Sequence, residues 1–272
     1  SNGKYAVCLT IDDNSYMSLA SVSFLDFEKR AYITKSTMHA FSFGKIGLTP
    51  DYRSGSVEYK DKKVYGKFTQ ADGKRNLVFR FKKFDGDRDL ECEFDLSDEP
   101  RDKMVIATPF NKKGHFYYNI KVNCMTARGY CKIGDNRYVF SEESSLATLD
   151  WGRGVWTYSN EWYWGSLQCY QDGAKLGLNI GYGFGDTSAA TENMLFYNGI
   201  AHKLQNVVFD IPESKNGKGY DYLSPWKFND DQGRLDLSFI PLIDRYDNAN
   251  ALIISSNQHQ VFGLFSGTEN LD

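Results

Sequence analysis

Proline is scarce in this chain, 6 residues in 272, and histidine scarcer, at His39, His115, His202 and His259. The histidines form no H-x-H or H-x-x-E-H pattern and no cluster with cysteine, so no metal site is expected. The five cysteines (Cys8, Cys92, Cys124, Cys131 and Cys169) are irregularly spaced with no C-x-x-C. An odd, unpatterned set speaks against a disulfide framework and for reduced thiols in a cytoplasmic setting. No window supplies the roughly 20 apolar residues of a membrane-spanning helix, so no integral membrane segment is expected. No signal peptide is visible in the sequence, and the start, Ser1-Asn2-Gly3, lacks a Met. A G-x-x-x-x-G-K-[ST] loop and a G-x-S-x-G elbow are both missing, and nothing asks for a cofactor. The net charge is −3. Residues 1–140 carry 24 Lys and Arg against 18 Asp and Glu, and residues 141–272 carry 8 against 17. The basic residues of the first part are diluted by acids, which is no nucleic-acid footprint.

What the chain has instead is aromatic side chains, 15% of residues with 18 Tyr and 19 Phe, within a hydrophobic fraction of 41%. Such residues fit a pleated, half-buried surface. Lys4 to Thr10 and Tyr16 to Asp26 read as strands, the second apolar on both faces with Ser interspersed, as in a barrel wall. Val57/Tyr59, Val64/Gly66/Phe68 and Leu77/Phe79/Phe81 alternate with polar residues in a ladder of short strands that continues through Asp89–Leu96, 116–127 and 130–140. Turn residues separate them, among them Ala71-Asp72-Gly73 and Gly134-Asp135-Asn136. From Trp162 a second ladder begins, with Gln171-Asp172-Gly173 and Tyr197-Asn198-Gly199 as its turns. Asp102 to Pro109 is the one faint helical candidate. A single sheet of about 15 strands would curl or split. The expectation is therefore an all-β chain of two antiparallel barrels, residues 1–140 and 141–272.

Four of the five tryptophans lie between Leu149 and Phe196. In D-W-G-R-G, Asp150 and Arg153 are placed to pair. The pair reads either as a brace within the fold or as part of a site. In N-E-W-Y-W-G-S, a strand would put Asn160, Trp162, Trp164 and Ser166 on one face, and two indoles beside an amide and a hydroxyl suit a pocket wall. L-G-L-N-I-G-Y-G-F-G-D carries Asn179, Tyr182 and Asp186 among glycines that leave room for indole or ligand. T-E-N sets Glu192 beside Asn193. Asp150 and Glu192 are candidates for acid and base, with Arg153 to tune them. His259, among Asn257, Gln258 and Gln260, is the histidine expected to act, and Trp151, Tyr158, His202 and Gln260 complete the expected ligand wall.

The stretches L-D-W-G-R-G-x-W-x-Y, W-x-W-G, L-G-L-N-I-G, T-E-N-x-L-F-Y-N-G-x-x-H-K-L and H-Q-V-F-G-x-F-S-G, spanning residues 149–267, resemble a bacterial domain-of-unknown-function family, number 2804. Residues 1–140 resemble it only loosely. Its members carry further sequence at both ends, which implies strands beyond this chain that complete the second barrel. W-Y-W-G-S-L-Q-C-Y-Q-D-G is similar to a motif of the carotenoid 1,2-hydratase and AttH-like proteins. That resemblance implies two lipocalin-like (calycin) barrels and, in the hydratases, protonation of an isolated double bond followed by addition of water. Asp150 is followed by Trp151 where those enzymes tend to have His, so the resemblance bears on the fold more than on the reaction. The expected ligand is an apolar or amphipathic small molecule, met by hydratase- or isomerase-type acid–base chemistry. The alternatives are lipid or isoprenoid binding without chemistry, and carbohydrate binding or hydrolysis on the tryptophan face.

Overall fold

A computed structural model of the chain describes residues 1–251 and 254–271. Strands account for every regular element among them: β1 (Tyr5–Asp13), β2 (Met17–Asp26), β3 (Ala31–Ala40), β4 (Gly55–Lys60), β5 (Val64–Ala71), β6 (Lys74–Asp85), β7 (Arg88–Ser97), β8 (Met104–Pro109), β9 (Phe116–Ile133), β10 (Asn136–Phe140), β11 (Leu146–Val155), β12 (Tyr163–Gln171), β13 (Ala174–Tyr182), β14 (Met194–Tyr197), β15 (Ile200–Lys203), β16 (Val207–Asp210), β17 (Trp226–Asp230), β18 (Leu235–Ala251) and β19 (Ile254–Glu269). The chain forms two compact units. Unit 1 comprises Ser1–Glu99 and Cys124–Ala147, and unit 2 comprises Pro100–Asn123 and Thr148–Asp272. β9 passes between them at Cys124, whose backbone is left-handed (φ 63°).

In unit 1, β1-β2-β3 form one antiparallel sheet and β10-β9-β7-β6-β5-β4 another. Period-two alternation drives the second. Leu90, Cys92, Phe94 and Leu96 are buried along β7 while Glu91, Glu93 and Asp95 between them face outward. Phe79, Phe81, Phe84 and Phe140 fill the core beneath. Cys92 and Cys131 stand opposite each other in the β7–β9 register as buried thiols.

Unit 2 holds β8, the start of β9 and most of β11, then the sheets β12-β13-β14-β15 and β16-β17-β18-β19. Leu178, Ile180 and Leu195 from the first of these pack with Phe209, Trp226, Phe228, Leu237 and Phe239 from the second. Asn198 and Gly199 both take positive φ (46° and 79°) in the two-residue loop between β14 and β15, the mirror-image turn that matches strand twist.

The all-β, lipocalin-like architecture is as expected, although none of the four sheets closes on itself among the described residues. The ladder differs from the sequence pattern in detail. Asp102–Pro109 is no helix: Met104 and Thr108 are buried while Val105 and Ala107 are exposed, a period of two, and the segment pairs with β9 as β8. β3 has a largely exposed burial pattern, which is why no apolar alternation marked it. β18 and β19 include residues whose polar composition gives no apolar alternation, such as Asp247 opposite Gln258. No helix of the described residues is long and apolar enough to cross a membrane.

Candidate functional site

The chemistry of unit 2 gathers on one face of β9. Alternation puts Tyr117, Asn119, Lys121 and Asn123 on the same side of the strand, and the last three are buried. β11 pairs with β9 and brings Asp150 against this row. Lys121 Nζ lies 2.5 Å from Asp150 Oδ2 and 4.3 Å above the ring of Trp164. A lysine only 4% exposed requires such partners for its ammonium, a carboxylate and an aromatic face.

The remaining links run through β12 and β13. Trp164 Nε1 donates to Asn179 Oδ1 at 2.9 Å. The other end of the fully buried Asn179 donates to Glu192, to its backbone oxygen at 2.9 Å and to its Oε2 at 3.0 Å. Burial pushes the Glu192 carboxyl above its ordinary range. The hydrogen bond from Asn179 and the charge of Lys121 oppose this, and the charge of Asp150 adds to it. The carboxyl occupies space opened by a missing side chain: a Cβ at Gly181 would stand 2.6 Å from Glu192 Oε1. The glycine face beside the indoles is filled here by a carboxylate.

Two groups, the buried Asn193 and the half-buried Lys203, brace this arrangement. Asn193 accepts from the Gly181 amide at 2.7 Å and donates to the Gln205 carbonyl at 2.7 Å. Lys203 donates to the carbonyls of Thr191, Asn193 and Leu204 and to Thr191 Oγ1, at 2.5–3.0 Å. Burial draws its ammonium down to about 8, against the pull of Glu192. Four oxygen acceptors around Nζ favour the charged form, so the ammonium is the species that fits this cage.

At the Tyr117 end of the row the surroundings turn aromatic. Phe184 is the hub, with ring centroids 5.0 Å from Tyr117, 5.5 Å from Trp156, 5.5 Å from Trp162 and 5.2 Å from Phe110. The contacts are edge-to-face, the favoured arrangement. Trp156 and Trp162 remain 43% and 49% exposed. Gly152 admits the Tyr117 phenol, since a Cβ there would fall 2.4 Å from its oxygen.

The structure therefore brings together Asp150, Trp164, Asn179 and Glu192, with Asn193 behind them and Trp162 in the adjoining aromatic array. Arg153 does not join. In a strand, residues three apart point to opposite faces, so the expected Asp150–Arg153 pair is replaced by Asp150–Lys121, and Arg153 is exposed. Trp151 lies on the same far face, packed edge-on at 6.0 Å against Tyr118. Asn160 precedes β12 and closes a turn with Thr157. Tyr158 is 87% exposed. Tyr182 stacks on Tyr163 at 5.0 Å and packs against the unit 2 core. Asp186 caps its own loop by accepting from the Ser188 amide. His202 sits half-buried on β15 opposite Leu195.

His259 belongs to another cluster. Its Nδ1 lies 2.8 Å from Asp244 Oδ2, and the rings of Tyr222 and Tyr246 lie against it at 3.8 and 4.5 Å. Gln260 is half-buried on the same strand, opposite Arg245.

The sequence reading missed Lys121, Asn119 and Asn123. Their signal is N-x-K-x-N at period two inside the apolar run 116–125. Among the described residues no group of three or more His, Cys, Asp or Glu could hold a metal. A shallow cleft in unit 1, lined by Arg80, Glu91, Lys132 and Gly134 among others, has none of these features.

The model of the family described as a domain of unknown function, DUF2804, matches residues 1–272, including the first 140 that resembled it only loosely. No curated protein matches the sequence. Two solved structures are similar in fold. Kievitone hydratase from Nectria haematococca is 15% identical, with a TM-score of 0.52 over 98% of this chain and 84% of that one. An AttH-like protein from Nitrosomonas europaea is 13% identical, with a TM-score of 0.56 over 98% and 85%.

Proposed function

The chain belongs to the DUF2804 family, and from that premise we propose that unit 2 binds a hydrophobic or partly hydrophobic small molecule beside Lys121 and Trp164 and acts on it by acid–base chemistry of the hydratase kind. The observation that carries this reading is a half-buried carboxyl with raised proton affinity, Glu192, close enough to a second, ion-paired carboxylate, Asp150, to feel its charge. Two carboxyls in unlike environments are how one site holds both an acid and an anion near neutral pH. In the proposed step the Glu192 proton adds to an isolated carbon–carbon double bond. The Asp150 carboxylate, oriented by Lys121, offsets the positive charge left on the neighbouring carbon. A water oxygen then bonds to that carbon and its proton returns to Glu192. Kievitone hydratase, a neighbour in fold, supports the reaction class by its name. The Phe184 array supports an apolar ligand.

A second reading, binding of a lipid or isoprenoid without chemistry, is favoured by the engagement of both carboxylates, Asp150 with Lys121 and Glu192 with Asn179. One experiment separates the two. Native mass spectrometry of protein purified from its own host identifies a retained compound, and that compound is incubated with the protein in D₂O. Enzymatic protonation places deuterium on carbon, and Glu192→Gln should slow this by about 100-fold or more. Retention of the compound with no deuterium incorporated by the parent protein would leave binding alone. Unchanged incorporation by Glu192→Gln would remove Glu192 as the donor.

A further inference from the structure

Asn119 stands between the two halves of this site. On one side along β9 is Tyr117, packed into the Phe184 array, and on the other is Lys121 with Asp150. Residues two apart on a strand are separated by roughly 7 Å, so a small molecule touching the aromatic array and the charge pair passes Asn119.

The buried asparagines of unit 2 show how the fold treats an amide it uses internally. Asn179 spends its oxygen on Trp164 and its nitrogen on Glu192. Asn193 spends its oxygen on the Gly181 amide and its nitrogen on Gln205. Among the described residues Asn119, 3% exposed, has no donor to its Oδ1. Asn123, fully buried, donates to Ser166 Oγ and to the Leu178 carbonyl, which fixes its oxygen as the acceptor end, and that oxygen too is unmatched. A buried acceptor without a donor costs about 1–3 kcal/mol. Two on one strand face, flanking a buried lysine, form a row that asks a ligand for hydrogen-bond donors.

We propose that Asn119 is a specificity-determining residue that accepts a hydrogen bond from a ligand hydroxyl, so that unit 2 takes a neutral hydroxylated amphiphile, an alcohol or phenol, in preference to its ether or carboxylate counterpart. This rests on the reading of unit 2 as a small-molecule site. An ether offers no donor. A carboxylate is itself an acceptor and would meet Asp150, Glu192 and the two amide oxygens.

The test is a titration followed by quenching of tryptophan fluorescence, since Trp156 and Trp162 border the row. The probes are geraniol, its methyl ether and geranic acid. The parent protein should bind the alcohol about tenfold more tightly than either analogue. Asn119→Leu should weaken the alcohol by the same factor and leave the ether unchanged, and Asn119→Asp, which keeps an acceptor, should retain the preference. The unliganded Asn119→Leu variant should melt no lower than the parent, because it removes an unmatched acceptor. Equal affinity of the parent for alcohol and ether, or an unaltered ratio in Asn119→Leu, overturns the proposal and leaves the small-molecule site standing. Quenching by none of the three overturns both. If Asn119→Leu does not fold, the parent's alcohol-to-ether ratio decides alone.

Discussion

Lys121 and Asp150 are joined unequally: the lysine side chain is 5% exposed and the aspartate 47%. Removing Asp150 leaves a buried ammonium against the Trp164 ring. Removing Lys121 leaves a carboxylate that water can reach. Asp150→Asn should therefore destabilise unit 2 by about 1–3 kcal/mol, less than the roughly 3–5 kcal/mol of a fully enclosed pair because water screens the aspartate. Lys121→Met should cost less, and the double variant Lys121→Met/Asp150→Asn should be more stable than Asp150→Asn alone, since methionine fills the lysine's volume without charge. Urea unfolding of the four proteins measures this as a double-mutant cycle. Additive losses would mean that the two residues do not act as a pair. The sequence showed Asp150 as a candidate but offered Arg153 as its partner, because proximity along the chain is visible there and proximity across strands is not.

At the scale of strands, β12 and β13 illustrate what was legible and what was not. Their pairing, with Gln171-Asp172-Gly173 as the turn, follows from alternation and turn chemistry. The same alternation placed Trp164 and Ser166 on one face, and both are held by buried amides there, Asn179 and Asn123. It failed for Asn160 and Trp162, which precede the strand. The glycines were legible as room but not as to what fills it. At Gly181 the occupant is the Glu192 carboxyl, 2.6 Å from where a Cβ would stand, with the Tyr163 carbonyl at 2.9 Å. Gly181→Ala must therefore displace the carboxyl or part the strands, at a cost on the order of 1–3 kcal/mol. In a Glu192→Ala background the nearer obstacle is gone and the cost should fall, the Tyr163 carbonyl accounting for what remains. Thermal melts of the two alanine variants and their combination check this. An equal loss in both backgrounds would place the obstruction wholly at the backbone.

For the molecule as a whole, part of the pH dependence of stability arises where burial raises a carboxyl. Burial pushes Glu269, near the end of β19, up to about 7, and among the described residues its Oε2 has no hydrogen-bond partner. Its register partner, Leu235, is buried in the unit 2 core, and its charge adds to the burial that raises the Cys169 thiol. In the unfolded chain a glutamate titrates near 4.3. Between about 4.3 and 7 the folded protein thus holds the extra proton, and stability contributed by this group falls as pH rises through that window. Glu192, also raised by burial, acts in the same direction. Asp102, held down to about 2 by its hydrogen bonds from Arg101, has the opposite sign but loses its contribution only below the window. Other groups titrate over the same range, so the comparison is with Glu269→Gln, which keeps the shape and cannot ionise. At pH 5, just above the unfolded-state value, the variant should be only slightly more stable than the parent. At pH 8 the variant should be the more stable, because the parent then carries a desolvated charge. A difference between the two proteins that does not change from pH 5 to pH 8 would show that Glu269 ionises no differently folded than unfolded.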